Sequence, residues 1–263
     1  MVDLLLFAVP LGLIGARLYY IIFNLDLYRT EDGGLDFVEM VRTRDGGLAI
    51  YGGVIAAVLV LFFVCRHKKI PFLAFADLGS MGLLIGQCVG RWGNFMNVEA
   101  YGSVTTLPWR MCSPKIASEL YGQGLVDAEG YQEVLDGVLG VHPTFFYESV
   151  WNLLGFILVA LIVKHWRKFD GQIFFTYLAW YGIGRGIIEG LRTDSLYFLN
   201  TPIRVSQMLG FASAAVAIVL LVWFLAVRRK GPESLWVNRV AAREKTESQE
   251  NTAEEESNGS DDH

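Results

Sequence analysis

Residues 90–102 read Gly-Arg-Trp-Gly-Asn-Phe-Met-Asn-Val-Glu-Ala-Tyr-Gly, and they follow directly on an apolar, glycine-rich run, residues 72–90, long enough to cross a membrane as a helix. Arg91, Asn94, Asn97 and Glu99 therefore stand where hydrocarbon gives way to water. A cation and a carboxylate at that depth are costly unless they meet each other, water or a charged ligand, so the stretch marks a functional site as well as a helix end.

The composition agrees. Of 263 residues 53% are hydrophobic and 19% charged, and a mean hydropathy of +0.37 is too apolar for one soluble domain of this size. The sequence reads as an all-α polytopic membrane protein. Its formal charge of -5 says little about partners, because residues 244–263 hold much of the acid in a low-complexity run without a large apolar residue. That tail, 231–263 in all, is expected to be cytoplasmic, solvated and disordered, a solubilising extension of a transmembrane domain over 1–230. Cys65, Cys88 and Cys112 are odd in number and lack C-x-x-C spacing, so neither a disulfide framework nor a zinc site is indicated. No metal or cofactor is expected, and a thiol needed by the chemistry would come with the substrate.

Six spans suit a hydrocarbon core of about 30 Å: approximately 4–23, 48–65, 72–90, 146–163, 173–190 and 205–227. Arg66-His67-Lys68-Lys69, Lys164 to Lys168 and Arg228-Arg229-Lys230 follow the second, fourth and sixth. Alternation puts all three basic clusters on one side, which the positive-inside rule makes the cytoplasm, with both termini there. On the other side lie residues 24–47, polar and rich in Gly and Asp, and residues 100–145, which carry Pro108, Pro114 and Pro143 and a helix-like pattern near 126–139. The longer segment reads as an extracytoplasmic arm or small head. No internal repeat emerges, which weighs against transporters built from related halves.

Along the fifth span Tyr181, Arg185, Glu189 and Arg192 are spaced to share one helical face, with Gly182, Gly186 and Gly190 one position along. Arg91 and Glu99 end the third span at the same level, Glu148 begins the fourth there, Arg17 lies about a turn and a half from the outer end of the first, and Tyr51 lies near the outer end of the second. Each has a plainer reading. Arg185 and Glu189 are an i, i+4 pair that could simply neutralise itself, Arg17 could snorkel to the headgroups, and aromatic residues at span ends commonly form an interface belt. Asp77, at the cytoplasmic end of the third span, reads as structural. The plain reading fails for the set, because Arg17, Arg91, Arg185 and Arg192 outnumber the three carboxylates beside them. A surplus of guanidinium at membrane depth suits an anion, and phosphate takes its fork bidentately. A phospholipid headgroup is the most available one.

The run Gly90-Arg91-x-Gly93-Asn94-Phe95-x-Asn97-x-Glu99-x-x-Gly102 resembles the signature of bacterial prolipoprotein diacylglyceryl transferases, with eight fixed positions in thirteen. The resemblance extends over nearly the whole chain, through Ile14-Gly15-Ala16-Arg17 with Tyr19, Tyr51-Gly52-Gly53, Thr106 to Trp109, His142-Pro143, Tyr147-Glu148 and Tyr181 to Arg192, in the family's order. It implies transfer of the diacylglyceryl group of phosphatidylglycerol to the lipobox cysteine of a prolipoprotein, forming a thioether and releasing glycerol phosphate. The partners implied are phosphatidylglycerol, lipobox-containing prolipoproteins and membrane lipid, with no nucleic acid, in the bacterial cytoplasmic membrane and with an outward-facing site. The catalytic residues expected are Arg91 and Arg185, which the resemblance implies, and Tyr51 as a candidate. Arg91 and Arg185 would bind the phosphodiester. Asn94 and Glu99 would hydrogen-bond the headgroup or hold Arg91, Glu148 and His142 would support the binding residues from behind or stand at the entrance, and Glu189 would orient Arg185 and Arg192. Arg17, Asn97 and Tyr181 complete the implied substrate-binding set.

Two positions depart from the family. Many members carry His where Tyr51 stands, and a phenol with an ordinary pKa near 10 is a poor base at neutral pH. The base is thus open between Tyr51, His142 and water. The family has seven spans, its first helix contributing to the lipid cavity, whereas this chain begins a few residues before what matches the second; a truncated gene model or a fragment is one reading. Rival classes predict other features. A small-anion transporter or channel would show interrupted, repeated helices, an intramembrane serine protease a Ser in a G-x-S-x-G turn with a His, and an assembly factor no release of glycerol phosphate.

Overall fold

A computed structural model of the chain describes residues 2–29, 34–43, 46–193 and 204–259, with side chains from 6 to 249. In chain order the helices are α1 (Val2–Phe23), α2 (Phe37–Val41), α3 (Ile50–His67), α4 (Phe72–Asn97), α5 (Pro114–Gly122), α6 (Ala128–Leu135), α7 (Thr144–His165), α8 (Gln172–Ile188), α9 (Val205–Val222) and α10 (Trp236–Gly259). The described residues pair one two-stranded antiparallel sheet, β1 (Val104–Thr105) with β2 (Gly140–Val141). The protein is all-α and polytopic. Five helices, α1, α3, α4, α7 and α9 with its π-turn extension to Val227, are long and apolar enough to cross a membrane. The expected fifth span, α8, has 17 residues and continues as a 3-10 turn over Glu189–Leu191. Its brevity fits its place: Ile173, Phe175, Tyr177, Ala179 and Ile188 are buried among protein neighbours. On the longer helices Leu6, Phe7, Val58, Phe63 and Val219 face outward, as helices solvated by lipid require.

The chain divides into two compact units, residues 1–75 and 76–263. In the first, α1 and α3 cross where small residues let the backbones meet. A Cβ on Gly52 would run into the Gly15 carbonyl and Tyr19 Cβ, the close approach that apolar helices use when lipid offers no hydrophobic drive to associate. Arg17, 8% exposed, gathers the connection between them. Its Nε donates to the Met40 carbonyl (2.8 Å), Nη1 to those of Gly46 and Gly47 (2.9 Å each), and Nη2 to those of Glu39 (2.7 Å) and Arg42 (2.5 Å). A guanidinium has five N–H donors, and all are used on this loop. A lysine offers three, so Arg17→Lys is expected to leave two carbonyls unmatched and loosen residues 39–42 and 46–47, at about 2–4 kcal/mol. Faster amide exchange over those residues, with α8 unaffected, would show it.

In the second unit, residues 98–143 form a small head whose core is Tyr101, Met111, Ile116, Leu120, Val134 and Val141. The pattern near 126–139 becomes α6. α5 is additional to the expectation, started by Pro114 in its first turn and by Ser113, whose hydroxyl accepts from Ile116 N–H at 3.1 Å. α8 lies against α9, where a Cβ on Gly182 would strike Gly210, Ser213 and Ala214. Gly190 meets nothing closer than 3.9 Å, so the small-residue stripe packs at its inner members. Asp77 is structural, accepting from Gly171 N–H and Phe174 N–H at 2.9 Å and from Arg167 Nη2 at 3.1 Å, which secures the first turn of α8 to α4. Residues 244–259, expected to be disordered, belong to helix α10. Ala, Arg, Glu and Lys from 241 to 245 are strong helix formers, and Asp170 accepts from Trp236 N–H at 2.8 Å to start the helix. Residues 260–263 lie outside the described part.

Candidate functional site

Three helices of the second unit converge their charges. Arg91 stands near the end of α4, Glu148 in the second turn of α7 and Arg185 in the last turn of α8, with Glu189 and Arg192 just beyond. Glu148, 4% exposed, is the centre. Its Oε2 pairs with Arg91 Nη2, and its Oε1 lies 3.1 Å from Arg185 Nη1 and 3.7 Å from Arg192 Nη1. Arg185 turns its Nη2 to Glu189 Oε2 at 2.7 Å. That oxygen receives no aligned hydrogen bond, so the contact is an ion pair held by charge rather than by direction. The Glu189 carbonyl accepts from Arg204, just before α9. Among the described residues three guanidiniums stand around two buried carboxylates. Such a site can receive a further anion and offer it several planar donors away from bulk water. The sequence reading has Glu148 supporting the binding residues or standing at the entrance; the structure puts it between the arginines, where it holds two of them. Its place on α7 relative to α4 and α8 is a tertiary fact.

The turn after α4 makes a second group. Asn94 Nδ2 and Asn97 Nδ2 both donate to Glu99 Oε1, at 3.0 and 3.2 Å. Glu99 is therefore engaged by the asparagines, and Arg91 is held from α7. The backbone makes this possible through Val98 at φ 51° and Ala100 at φ 57°, while Val98 N–H and Glu99 N–H close back on the carbonyls of Phe95 and Asn94. A valine in left-handed conformation costs about 1–2 kcal/mol, strain of the kind kept at sites where direction matters. Gly102 ends the turn in a space no side chain fits: a Cβ would lie 2.7 Å from His142 Cβ and 2.9 Å from the Leu191 carbonyl. There the chain bridges to Arg192, tying the signature to the far end of α8.

His142 Nδ1 is 3.2 Å from the Tyr147 hydroxyl, which accepts from Trp109 Nε1 at 2.8 Å. Tyr181 stacks on Tyr177, whose hydroxyl accepts from Gln87 Nε2 at 3.0 Å. One turn inward from Arg91 and Glu148, Gln87 Oε1 and Asn152 Oδ1 are buried without a hydrogen-bond partner among the described residues. Sequence reasoning singled out neither amide, nor Arg204. Helical period was the available signal, since Gln87 precedes Arg91 by four and Asn152 follows Glu148 by four.

The two remaining candidates lie in the first unit. Tyr51, 45% exposed, sits in the first turn of α3 with its ring 6.4 Å from that of Tyr19. Arg17 has no donor left for a phosphate. Among the described residues no group of three or more His, Cys, Asp or Glu is placed to hold a metal ion.

Fold and site together define a multi-pass membrane protein that gathers guanidinium groups around buried carboxylates. The family profile of prolipoprotein diacylglyceryl transferases matches residues 1–223. The chain is 42% identical over 218 residues to the phosphatidylglycerol–prolipoprotein diacylglyceryl transferase of Finegoldia magna, covering 83% of this chain and 76% of that one. It is 43% identical over 236 residues to that of Lactiplantibacillus plantarum (89% and 76%), and 40% over 245 to that of Enterococcus faecalis (92% and 80%). The chain belongs to the prolipoprotein diacylglyceryl transferase family and is a transferase. These likenesses lend nothing to the transporter reading.

Proposed function

We propose that the protein transfers the diacylglyceryl group of phosphatidylglycerol to the lipobox cysteine of a prolipoprotein. The substrate's sulfur attacks the glycerol carbon next to the phosphate, an S–C bond forms and the C–O bond breaks. The electron pair leaves with the phosphate oxygen as glycerol phosphate. The thiol proton goes to solvent or to a base, for which Tyr51 and His142 are the candidates, although Nδ1 of His142 is engaged by Tyr147.

The observation that carries this reading is the cluster of arginines around Glu148. Arg91 and Arg185 hold the phosphodiester and take up the charge that grows on it as the carbon leaves, an electrostatic contribution of the oxyanion-hole type. Glu148 fixes both guanidiniums, Arg192 joins them, and Glu189 holds Arg185 from the other side. Asn94, Asn97 and Glu99 form the headgroup-side wall. Tyr181, one turn inward of Arg185, lines the approach. The basic ends of α3, α7 and α9 support a cytoplasmic membrane location with this cluster on the outer side.

The test mixes purified protein, phosphatidylglycerol and a lipobox peptide, and follows the peptide by mass spectrometry. Gain of one diacylglyceryl unit on cysteine, with release of glycerol phosphate, is the expected result. No gain while the protein still binds phosphatidylglycerol would overturn the assignment of the reaction to this chain.

A further inference from the structure

The turn joining α3 to α4 holds a cavity of about 400 Å³ lined by Phe62, Cys65, Arg66, Lys69, Ile70 and Phe72. Residues 61–72 contain no carboxylate. The side chains of Arg66 and Lys69, residues both exposed, make no hydrogen bond or ion pair among the described residues. Lys69 also stands at φ 55°, with Ile70 N–H donating to the Cys65 carbonyl at 2.9 Å and Lys69 N–H to that of Arg66 at 3.4 Å. This is the helix ending in which glycine usually takes the left-handed position, and a lysine there is strained by about 1–2 kcal/mol. Cations near a helix C-terminus are favourable in themselves, which accounts for Arg66 but not for lysine at the one backbone position where glycine would relieve strain. Leu59, Phe62, Phe63 and Arg66 are spaced along one face of α3, and the three apolar members are exposed.

We propose that this turn is a binding site for an anionic phospholipid. The phosphate sits between Arg66 and Lys69 and an acyl chain lies along Leu59, Phe62 and Phe63. The apolar face leading out of the cavity favours a lipid over free phosphate. The site is separate from the arginine cluster, because the two share no residue.

Native mass spectrometry of the full chain, titrated in detergent with phosphatidylglycerol, tests this. The wild type is expected to retain two lipids, one of them about 30-fold more weakly in Arg66→Gln/Lys69→Gln, the loss of two headgroup contacts. Arg91→Ala should lose the other lipid and keep this one, so failure at either site is read separately. Phosphatidylcholine should bind this turn more weakly, and millimolar inorganic phosphate should leave the bound lipid in place; displacement by phosphate would make the free anion the ligand and overturn the lipid assignment. Lys69→Gly is expected to raise thermal stability and weaken retention together. Unchanged retention in Lys69→Gly and in the double variant would reduce the turn to a helix ending and sink the proposal.

Discussion

Replacing Glu148 by glutamine is expected to lower kcat for diacylglyceryl transfer by about 10²–10³ while leaving KM for phosphatidylglycerol unchanged or lower. The carboxylate sits between Arg91 and Arg185 with Arg192 beside it. An amide of the same shape keeps an acceptor but removes the charge that sets the spacing of the guanidiniums. The cluster then becomes more cationic, so a phosphodiester binds at least as well in the ground state. What is lost is the fixed direction of the donors as charge develops, and that loss appears in kcat. Glu148→Ala goes further, leaving partly buried guanidiniums without their carboxylate, and should lower the melting temperature as well. Steady-state kinetics with the glutamine variant decides: a loss confined to KM would make Glu148 an ordinary ligand contact, and full activity would remove it from the mechanism.

Arg185→Ala should reduce kcat/KM by about 10³, the loss of a donor aimed at the leaving phosphate. It should also destabilise the protein, because Glu189, 2% exposed, loses its 2.7 Å partner and keeps an uncompensated charge. Two companions separate these effects. Arg185→Lys returns a cation to Glu189 without the planar fork, so stability recovers while activity stays at least tenfold down. Arg185→Ala/Glu189→Ala removes both charges, so the melting temperature rises above that of Arg185→Ala without any return of transfer. Activity that tracked melting temperature through all three variants would show that Arg185 only holds the bundle together.

Much of the fold was legible because lipid imposes a simple demand. Every backbone group must be satisfied within its own helix and every outward side chain must be apolar, so the spans at 4–23, 72–90 and 205–227 are visible as runs of composition. Legibility failed where that demand is absent. The head's α5 and its β1–β2 pair rest on a soluble-type core whose members are far apart in sequence, and α10 was hidden because acidic composition was read as disorder although its residues are helix formers. In the site, Arg185, Glu189 and Arg192 were placed on one face by spacing, since helical period states which residues share a face, and Arg91 was marked by its place where the third span meets water.

The partners of those residues were a different matter. Arg17 and Arg91 look alike in sequence, each a cation close to the outer end of a span. Folding gives one of them five backbone carbonyls and the other a buried carboxylate on α7. By itself the sequence determined the helices, the membrane and the surplus of cations at one level, because these follow from local composition and period. Only the tertiary structure decided that Glu148 stands at the centre, that Glu99 belongs to Asn94 and Asn97, and that Arg17 is fully engaged by its loop. An ion pair between helices depends on how their axes approach and rotate, and that is set by packing at contacts such as Gly182 on Gly210 rather than by the charged residues themselves.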